Sequence, residues 1–329
     1  MATQWMITNR KQHGSELGPH EGPLTFWMTD KAGDAAKLKN LKEWQQLKPA
    51  EFVGGLRRKV AAQFPELPDE ENEHEHHVTL FVHGFNNSFE DALGRYLQIH
   101  SAILRKPKLG ICVLFTWPSD GSKAGYFPDR QDARSSADEL AHVLQILFDY
   151  LAERQEAAMR SGLKTCKAKT SIIAHSMGNY LVQKAMQTVW TRKNQPMLLS
   201  LISQLVMVAA DVDNDLFGAG ETVDKGDGDA IANLTYRVTA LYTGLDPALG
   251  LSAGFKHFGK RRLGRSGLDT HVPAPDNVWA ADCTEIFRKA KATNIHSAYF
   301  DVLRTQDLIV SVLRGIDRSV LKRSFPEIV

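Results

Sequence analysis

Cysteine is scarce in this sequence of 329 residues. Three cysteines are present, Cys112, Cys166 and Cys283. A small, odd number of cysteines is not the framework of a disulfide-stabilised secreted domain, so we expect all three to be reduced thiols. Met1–Arg10 also has no apolar region after a basic start, so no secretory signal is expected.

Long hydrophobic runs are missing as well. The longest apolar stretch, Leu198–Ala210, is interrupted by Ser200, Ser203 and Gln204. It is shorter than the roughly 20 residues that a membrane-spanning helix needs. These features predict a soluble, cytoplasmic protein without a transmembrane segment.

Neither sign of charge dominates the composition. The chain has 40 Lys and Arg residues against 38 Asp and Glu residues, for a net charge of +2. Nucleic-acid-binding domains are usually clearly basic, so we expect no nucleic-acid partner. The 43% of hydrophobic and 24% of charged residues are typical of a globular protein with a large core.

Six short apolar runs predict β-strands. The runs are Val78–His83, Ile111–Trp117, Thr170–His175, Gln204–Ala210, Arg237–Thr243 and Asn277–Cys283. Most are continuous rather than alternating, as in parallel strands buried on both faces. Gln131–Arg154 and Asn179–Arg192 carry apolar residues at helical spacing. The alternation predicts an α/β fold: a mostly parallel, doubly wound sheet with helices on both faces.

The N-terminal quarter is different in character. Gln4–Thr8 and Pro23–Met28 predict a β-hairpin that extends one edge of the sheet, and Pro49–Phe64 predicts a helix. Pro65–His77 is acidic and has the composition of a linker. We interpret its three histidines as solvated linker residues rather than metal ligands, and expect no metal and no cofactor; they are His74, His76 and His77. We assign residues 1–329 to a single domain, with residues 1–77 as this extension and residues 78–315 as its core.

Two serines lie in a pattern that fits a nucleophile elbow. Ser252 has the stricter match, Gly250–Gly254, and Ser176 lies in Ala174–Gly178, where alanine replaces the first glycine. A nucleophile elbow requires a strand that enters the turn and a helix that leaves it. Ser176 has both, whereas Ser252 lies in a glycine-rich stretch about ten residues after the nearest predicted strand. Context therefore selects Ser176 as the nucleophile.

A serine nucleophile needs backbone N–H groups that stabilise the oxyanion of the tetrahedral intermediate. One donor is normally the residue after the nucleophile, which is Met177 here. The other comes from the loop after an earlier strand, and His83-Gly84-Phe85 ends the first predicted parallel strand. We therefore expect Phe85 and Met177 to form the oxyanion hole.

The general base is expected to be a histidine late in the chain, because the chain order in this type of fold is Ser, acid, His. His296 follows the last predicted strand and precedes the amphipathic segment Tyr299–Leu313. His257 and His271 lie in a basic stretch and are weaker candidates.

Two places in the sequence offer a carboxylate to orient that histidine. Asp246 follows the strand Arg237–Thr243, and Asp211 and Asp213 follow the strand before it. Consecutive strands joined by crossovers are usually neighbours, so Asp246 is expected beside the start of the His296 loop. We favour Asp246 and keep Asp211 and Asp213 as alternatives.

Together these residues resemble the α/β-hydrolase superfamily and, more narrowly, a family of bacterial α/β-hydrolases of unknown function that is similar to esterases and lipases. The resemblance covers roughly residues 75–315. It rests on Phe81–Phe89, Phe115–Ser119, Ala174–Gly178, Leu241–Leu249 and His296–Tyr299. It implies an α/β-hydrolase fold with Ser176, Asp246 and His296 as a triad, and it gives no substrate.

Further residues are candidates for the substrate pocket. Asn86, Trp117, Tyr126 and His175 follow or end predicted strands, or lie close to them. Residues 250–276 form the longest stretch without a regular pattern and contain several basic residues. Such a stretch is either a lid whose charges attract an anionic or lipid-like substrate, or a solvated basic loop.

The hypothesis from sequence is a serine hydrolase that cleaves a small-molecule or lipid-like carboxylic ester through an acyl-enzyme. Thioesterase and amidase activity use the same chemistry and stay open. The alternative is a non-catalytic α/β-hydrolase fold that serves as an interaction or sensing domain, because fold does not determine function.

Overall fold

The structure, a computed structural model, describes residues 3–63, 77–119, 126–147, 149, 169–193, 200, 202–218, 225–257 and 259–328. Internal contacts divide the chain into two compact units. Unit 1 comprises Met1–Phe81 and Phe85–Thr170, and unit 2 comprises Val82–Gly84 and Ser171–Val329. The assignment of the whole chain to one domain stays a prediction.

Unit 1 is built around the N-terminal hairpin. Its described strands are β1 (Gln4–His13), β2 (Glu16–Thr29), β3 (Gln45–Leu47), all but the last residue of β4 (His77–Val82) and β5 (Gly110–Thr116), in the order β3-β2-β1-β5-β4. β1 pairs antiparallel with β2 and parallel with β5. The predicted hairpin is confirmed, but both strands extend further than the apolar runs. Their outer residues are mostly polar, so they gave no apolar signal.

The described helices of unit 1 are α1 (Ala35–Leu38), α2 (Pro49–Gln63), α3 (Phe89–Ile99), α4 (Tyr126–Ser135) and α5 (residues 137–147). α2 matches the predicted helix. α3, which was not predicted, begins with a capping box in which the side chains of Ser88 and Asp91 each accept a backbone N–H of the other residue.

One histidine of the predicted linker belongs to the sheet. His77 begins β4, is fully buried, and donates its backbone N–H to the carbonyl oxygen of Leu109 at 2.9 Å. The interpretation of His77 as a solvated linker residue was therefore wrong, because this backbone hydrogen bond extends the strand by one residue. His74 and His76 lie outside the described residues.

Unit 2 contains most of β6 (Lys169–His175), followed by β7 (Ile202–Val208), β8 (Thr235–Tyr242) and β9 (Val278–Asp282), which are adjacent in this order. All neighbouring pairs among them are parallel. Their carboxyl ends therefore lie at one edge, where ligands bind in open α/β sheets. The predicted mostly parallel α/β architecture is confirmed, with strand bounds within two residues of the apolar runs.

The described helices of unit 2 connect or follow these strands. They are α6 (Gly178–Lys193), α7 (Lys225–Leu234), α8 (Pro247–Leu251), α9 (Leu263–Ser266), α10 (Thr284–Ala290), α11 (Leu303–Leu313) and α12 (Arg318–Ser324). None of the helices described in either unit has both the length and the apolar character that crossing a lipid bilayer requires.

Two of the three cysteines can be followed in the structure. Cys112 and Cys283 are buried free thiols, as predicted, and burial raises the pKa of both. Cys166 lies outside the described residues.

Candidate active site

Ser176 occupies the turn between β6 and α6. Its φ is +53°, in the left-handed region that residues other than glycine rarely adopt. Its backbone N–H donates to the carbonyl oxygen of Val208 at 3.0 Å, which ties the turn to the end of β7. A strained backbone held between a strand and a helix is the geometry of a nucleophile elbow.

The side chain of Asn179 holds this turn from inside. Its Nδ2 donates to the carbonyl oxygens of Ala174, Ser176 and Val208 at 3.0, 3.1 and 3.3 Å. The backbone N–H of Asp211 donates to the Ser176 carbonyl oxygen at 3.2 Å. Hydrogen bonds from Asn179 and Asp211 therefore stabilise the conformation of the turn.

Two glycines allow the backbone to approach Ser176 closely. A Cβ atom on Gly84 would lie 2.7 Å from the Cβ of Ser176, and one on Gly178 would lie 2.4 Å from the carbonyl oxygen of His83. Any side chain at these positions would push the end of β4 away from the elbow. This explains why glycine follows His83 and Met177 in the two motifs.

Asp246 and His296 form a hydrogen-bonded pair. Asp246 Oδ2 lies 2.7 Å from His296 Nδ1, with the Asp246 side chain fully buried and that of His296 22% exposed. The other carboxylate oxygen of Asp246 accepts the backbone N–H of Leu249 at 3.1 Å, so Asp246 is the N-cap of α8. The helix end therefore fixes the carboxylate that holds the imidazole.

His175 connects the elbow to the His296 loop. It is the last residue of β6 and is buried, and its Nε2–H donates to the carbonyl oxygen of His296 at 2.9 Å. The two imidazole rings lie 4.9 Å apart between centroids, and the ring of Phe300 contacts His175 edge-on at 5.6 Å. The side chain of His175 thus contacts the backbone of His296, and its role as a pocket residue stays a prediction.

The alternative acids bind a buried arginine. Asp211 Oδ1 accepts from Arg262 Nε at 2.8 Å, and Asp213 accepts from a terminal nitrogen of the same guanidinium. Burial opposes the charge of Asp213, but hydrogen bonding to Lys260 and the charges of Lys260 and Arg262 outweigh it and leave the pKa of Asp213 below its ordinary value. Both carboxylates are thus part of an ion-pair network centred on Arg262.

Ser252, the serine with the stricter motif, belongs to the same network. It follows α8 directly, is buried, and donates to Asp211 Oδ1 at 2.8 Å. Its assignment to a glycine-rich loop was wrong. The short helix that ends at Leu251 was not predicted, because Gly250 and Gly254 are weak helix formers and indicated a loop.

The stretch 250–276 is likewise more ordered than predicted. The end of α8, a π-helical turn (Ser252–Lys256) and α9 lie within it. Arg262 is fully buried and also donates to the backbone carbonyl of Asp211. Neither a charged lid nor a solvated basic loop describes Arg262, because its charge is neutralised inside unit 2 by Asp211 and Asp213.

The Arg262 network predicts a large effect on stability. Arg262→Met is expected to lower the free energy of unfolding by about 3–5 kcal/mol, because two largely buried carboxylates lose their counterion. Lys260→Met is the control: the Lys260 ammonium also binds Asp213, but its side chain is 52% exposed, so it should cost about 1 kcal/mol or less. Urea unfolding measures both, and equal losses would contradict the prediction.

The remaining predicted site residues belong to unit 1, except Met177, which is fully buried after Ser176. Phe85 and Tyr126 contact each other edge-on, with ring centroids 5.4 Å apart. Trp117 is fully buried at the end of β5. Asn86 has a φ of +59°, and its backbone N–H donates to Asp129 Oδ2 at 3.3 Å.

Asn179, Arg262 and Asp129 were not predicted from the sequence. Each acts through buried hydrogen bonds rather than through a motif. Asn179 directly follows the Ala174–Gly178 motif, but the motif itself assigns no role to a polar residue at this position. Arg262 is one of several basic residues in its stretch, so nothing in the sequence distinguished it from its exposed neighbours.

The chain matches one known protein family over most of its length. Residues 66–271 match a family described as "Alpha/beta hydrolase of unknown function (DUF900)". The chain belongs to this family. The resemblance inferred from the sequence is therefore confirmed, and membership of an alpha/beta hydrolase family supports a hydrolase activity. The matched range contains Ser176 and Asp246, and His296 lies beyond it.

Solved structures with a similar fold include several hydrolases. An esterase from Pyrobaculum calidifontis is 10% identical, with 97% of this chain and 86% of that chain covered and a TM-score of 0.38. A fungal esterase from Rhizomucor miehei is 12% identical, with 96% of this chain and 83% of that chain covered and a TM-score of 0.38. An acylaminoacyl peptidase from Pyrococcus horikoshii is 12% identical, with a TM-score of 0.33. The alignment covers 93% of this chain but 49% of the peptidase, so the chain spans about half its length. No curated protein matches the chain.

Proposed function

We propose that the protein is a serine hydrolase that cleaves carboxylic esters through an acyl-enzyme on Ser176. The main support is the 2.7 Å contact between Asp246 Oδ2 and His296 Nδ1, because it joins a fully buried carboxylate to the imidazole predicted as the base. The carboxylate holds the tautomer in which Nε2 is free to accept a proton and stabilises the imidazolium that then forms. Asp211 and Asp213 bind Arg262 instead.

Acylation follows from these roles. Ser176 Oγ attacks the carbonyl carbon of the ester while its proton passes to His296 Nε2. The carbonyl π electrons move to oxygen, and the backbone N–H of Met177, the residue after the nucleophile, stabilises that oxyanion. When the tetrahedral intermediate collapses, the C–O bond to the alcohol breaks and the alcohol leaves with the proton from His296.

Deacylation repeats these steps with water as the nucleophile. His296 takes a proton from water, whose oxygen attacks the acyl carbon, and returns that proton to Ser176 Oγ as the carboxylic acid leaves. A thioester or amide would differ in its leaving group alone. We place esters first because of the likeness to esterases seen in the sequence.

A substrate panel tests this proposal. Nitrophenyl esters of increasing acyl length, the matched thioesters and the matched anilides are offered to the purified protein, and kcat/KM is measured for each. The proposal predicts saturable turnover, with kcat/KM for the best ester above that for the matched thioester and anilide. Turnover of none of the three classes would support a non-catalytic binding fold instead.

The role of His296 predicts a pH dependence. A neutral imidazole accepts the serine proton and a protonated one cannot, so kcat/KM of the unaltered protein should fall on the acid side of its pH profile. His296→Ala should retain the folded structure and lose both the activity and this pH limb. A residual activity in His296→Ala with an unchanged pH profile would show that another residue is the base.

A further inference from the structure

The loop of unit 2 that carries His296 has little apolar burial of its own. α10 ends at Ala290, and a buried 3-10 turn, Ala298–Phe300, follows the loop. Every residue from 291 to 297 between these two elements is exposed or half-buried, including His296. Because packing into the core holds such a segment weakly, its conformation depends on hydrogen bonds.

The carbonyl group of His296 is bound by a side chain. The backbone N–H groups of Ser297 and Ala298 donate within the loop, at 3.1 and 3.2 Å, to carbonyl oxygens on the amino side of His296. These bonds close the turn without using the His296 carbonyl. That carbonyl oxygen accepts from His175 Nε2 at 2.9 Å. The hydrogen bond from His175 therefore ties the exposed loop to the end of β6.

The His175 side chain is itself held in place. His175 pairs with Val208 of β7 and is 7% exposed. The ring of Phe300 packs edge-on against it, and a Cβ atom on Gly84 would lie 3.1 Å from its Nδ1. A carbonyl oxygen accepts hydrogen bonds and does not donate them, so the proton lies on Nε2 of His175. The donor is thus fixed in both position and tautomer.

His296 is consequently held at two points. Its Nδ1 contacts Asp246 Oδ2 at 2.7 Å, and its backbone carbonyl is bound by His175. Asp246 is fixed as the N-cap of α8, and His175 immediately precedes Ser176 in the sequence. The end of β6 therefore carries both the predicted nucleophile and the donor that holds the backbone of the predicted base.

We propose that His175 is a positioning residue whose Nε2–H holds the His296 loop, so that the His296 imidazole stays oriented to take the proton of Ser176. This inference rests on the proposed function, in which His296 is the general base. In this role His175 touches no reacting atom and acts through the backbone of His296.

A matched pair of variants separates the hydrogen bond from packing. The amide nitrogen of glutamine can take the place of Nε2, whereas methionine has a similar length and no donor. In His175→Met, kcat per active site should fall about 10- to 100-fold while KM changes by less than about twofold, because a misplaced base impairs proton transfer more than substrate binding. His175→Gln should keep at least about one third of kcat. His142→Met, which alters an exposed histidine of α5, is the control.

NMR of the protein labelled with ¹⁵N-histidine gives a readout that a merely structural role would not move. At alkaline pH, where histidines are neutral, His175 should be the Nε2–H tautomer, with its signal identified by its absence from His175→Gln. The His296 Nδ1–H signal, shifted downfield by the hydrogen bond to Asp246, should be retained in His175→Gln and broadened or lost in His175→Met.

The outcomes distinguish this assignment from the proposed function. Active sites are counted by complete reaction with a fluorophosphonate. A loss of kcat per site in His175→Met that His175→Gln largely restores supports the assignment. Equal kcat per site in these two variants, or an Nδ1–H tautomer of His175, would overturn it and leave the serine hydrolase intact.

The tautomer and His175→Gln decide the matter if His175→Met does not fold. The Nε2–H tautomer together with the retained kcat of His175→Gln then supports the assignment, and a loss of kcat beyond about tenfold in His175→Gln overturns it. If the unaltered protein neither reacts with the fluorophosphonate nor hydrolyses esters, the proposed function fails and the role of His175 fails with it.

Discussion

Replacing Ser176 with alanine is expected to abolish ester hydrolysis, with kcat lowered by about 10³-fold or more. The covalent step has no substitute nucleophile in this variant, and what remains comes from the oxyanion donors and substrate binding. The loss should appear in kcat/KM without a change in the thermal unfolding temperature beyond a few degrees. Initial rates with the best ester of the panel measure it.

Ser252→Ala is the matched control for this prediction. Ser252 fits the stricter motif, yet its hydroxyl donates to Asp211 inside the Arg262 network. Its loss should reduce stability by about 1 kcal/mol and leave most of the turnover. Equal kcat/KM in Ser176→Ala and the unaltered protein would contradict the assignment, as would a loss of activity confined to Ser252→Ala.

The second large effect is expected from Asp246→Asn, which should lower kcat by about 10³–10⁴-fold. The amide keeps the shape of the carboxylate and can still cap α8 through its oxygen. It offers the His296 imidazole a neutral group in place of an anion, so the imidazolium is no longer stabilised and the wrong tautomer becomes accessible. Single-turnover kinetics would place the loss in acylation.

Asp211→Asn and Asp213→Asn are the controls at the alternative acids. Their carboxylates bind Arg262, so their loss should appear mainly in the free energy of unfolding, with kcat reduced less than about tenfold. A severe loss of kcat in Asp211→Asn, combined with an active Asp246→Asn, would show that Asp211 and not Asp246 is the triad acid.

The core strands could be predicted because burial on both faces leaves a continuous apolar run. Thr170–His175 shows this, and the structure extends it by one residue. The outer half of the N-terminal hairpin could not be predicted. Arg10 and Gln12 pair there across register shifts, and most residues of that half are polar, so neither alternation nor hydrophobicity marks the strand.

The candidate site could be predicted where chemistry coincides with the end of a strand. Ser176 and Asp246 follow β6 and β8 closely, and the structure places Asp246 against His296. The supporting residues could not be found in this way. Arg262 is distinguished by burial alone, because a charged side chain inside the protein must have partners from distant segments. Sequence spacing does not contain that information.

Reaction with a fluorophosphonate, followed by peptide mapping, identifies the nucleophile. We expect a single adduct on the Oγ of Ser176, absent from Ser176→Ala, retained in Ser252→Ala and formed much more slowly in Asp246→Asn. An adduct on any other residue, or no adduct on the folded protein, would contradict this expectation.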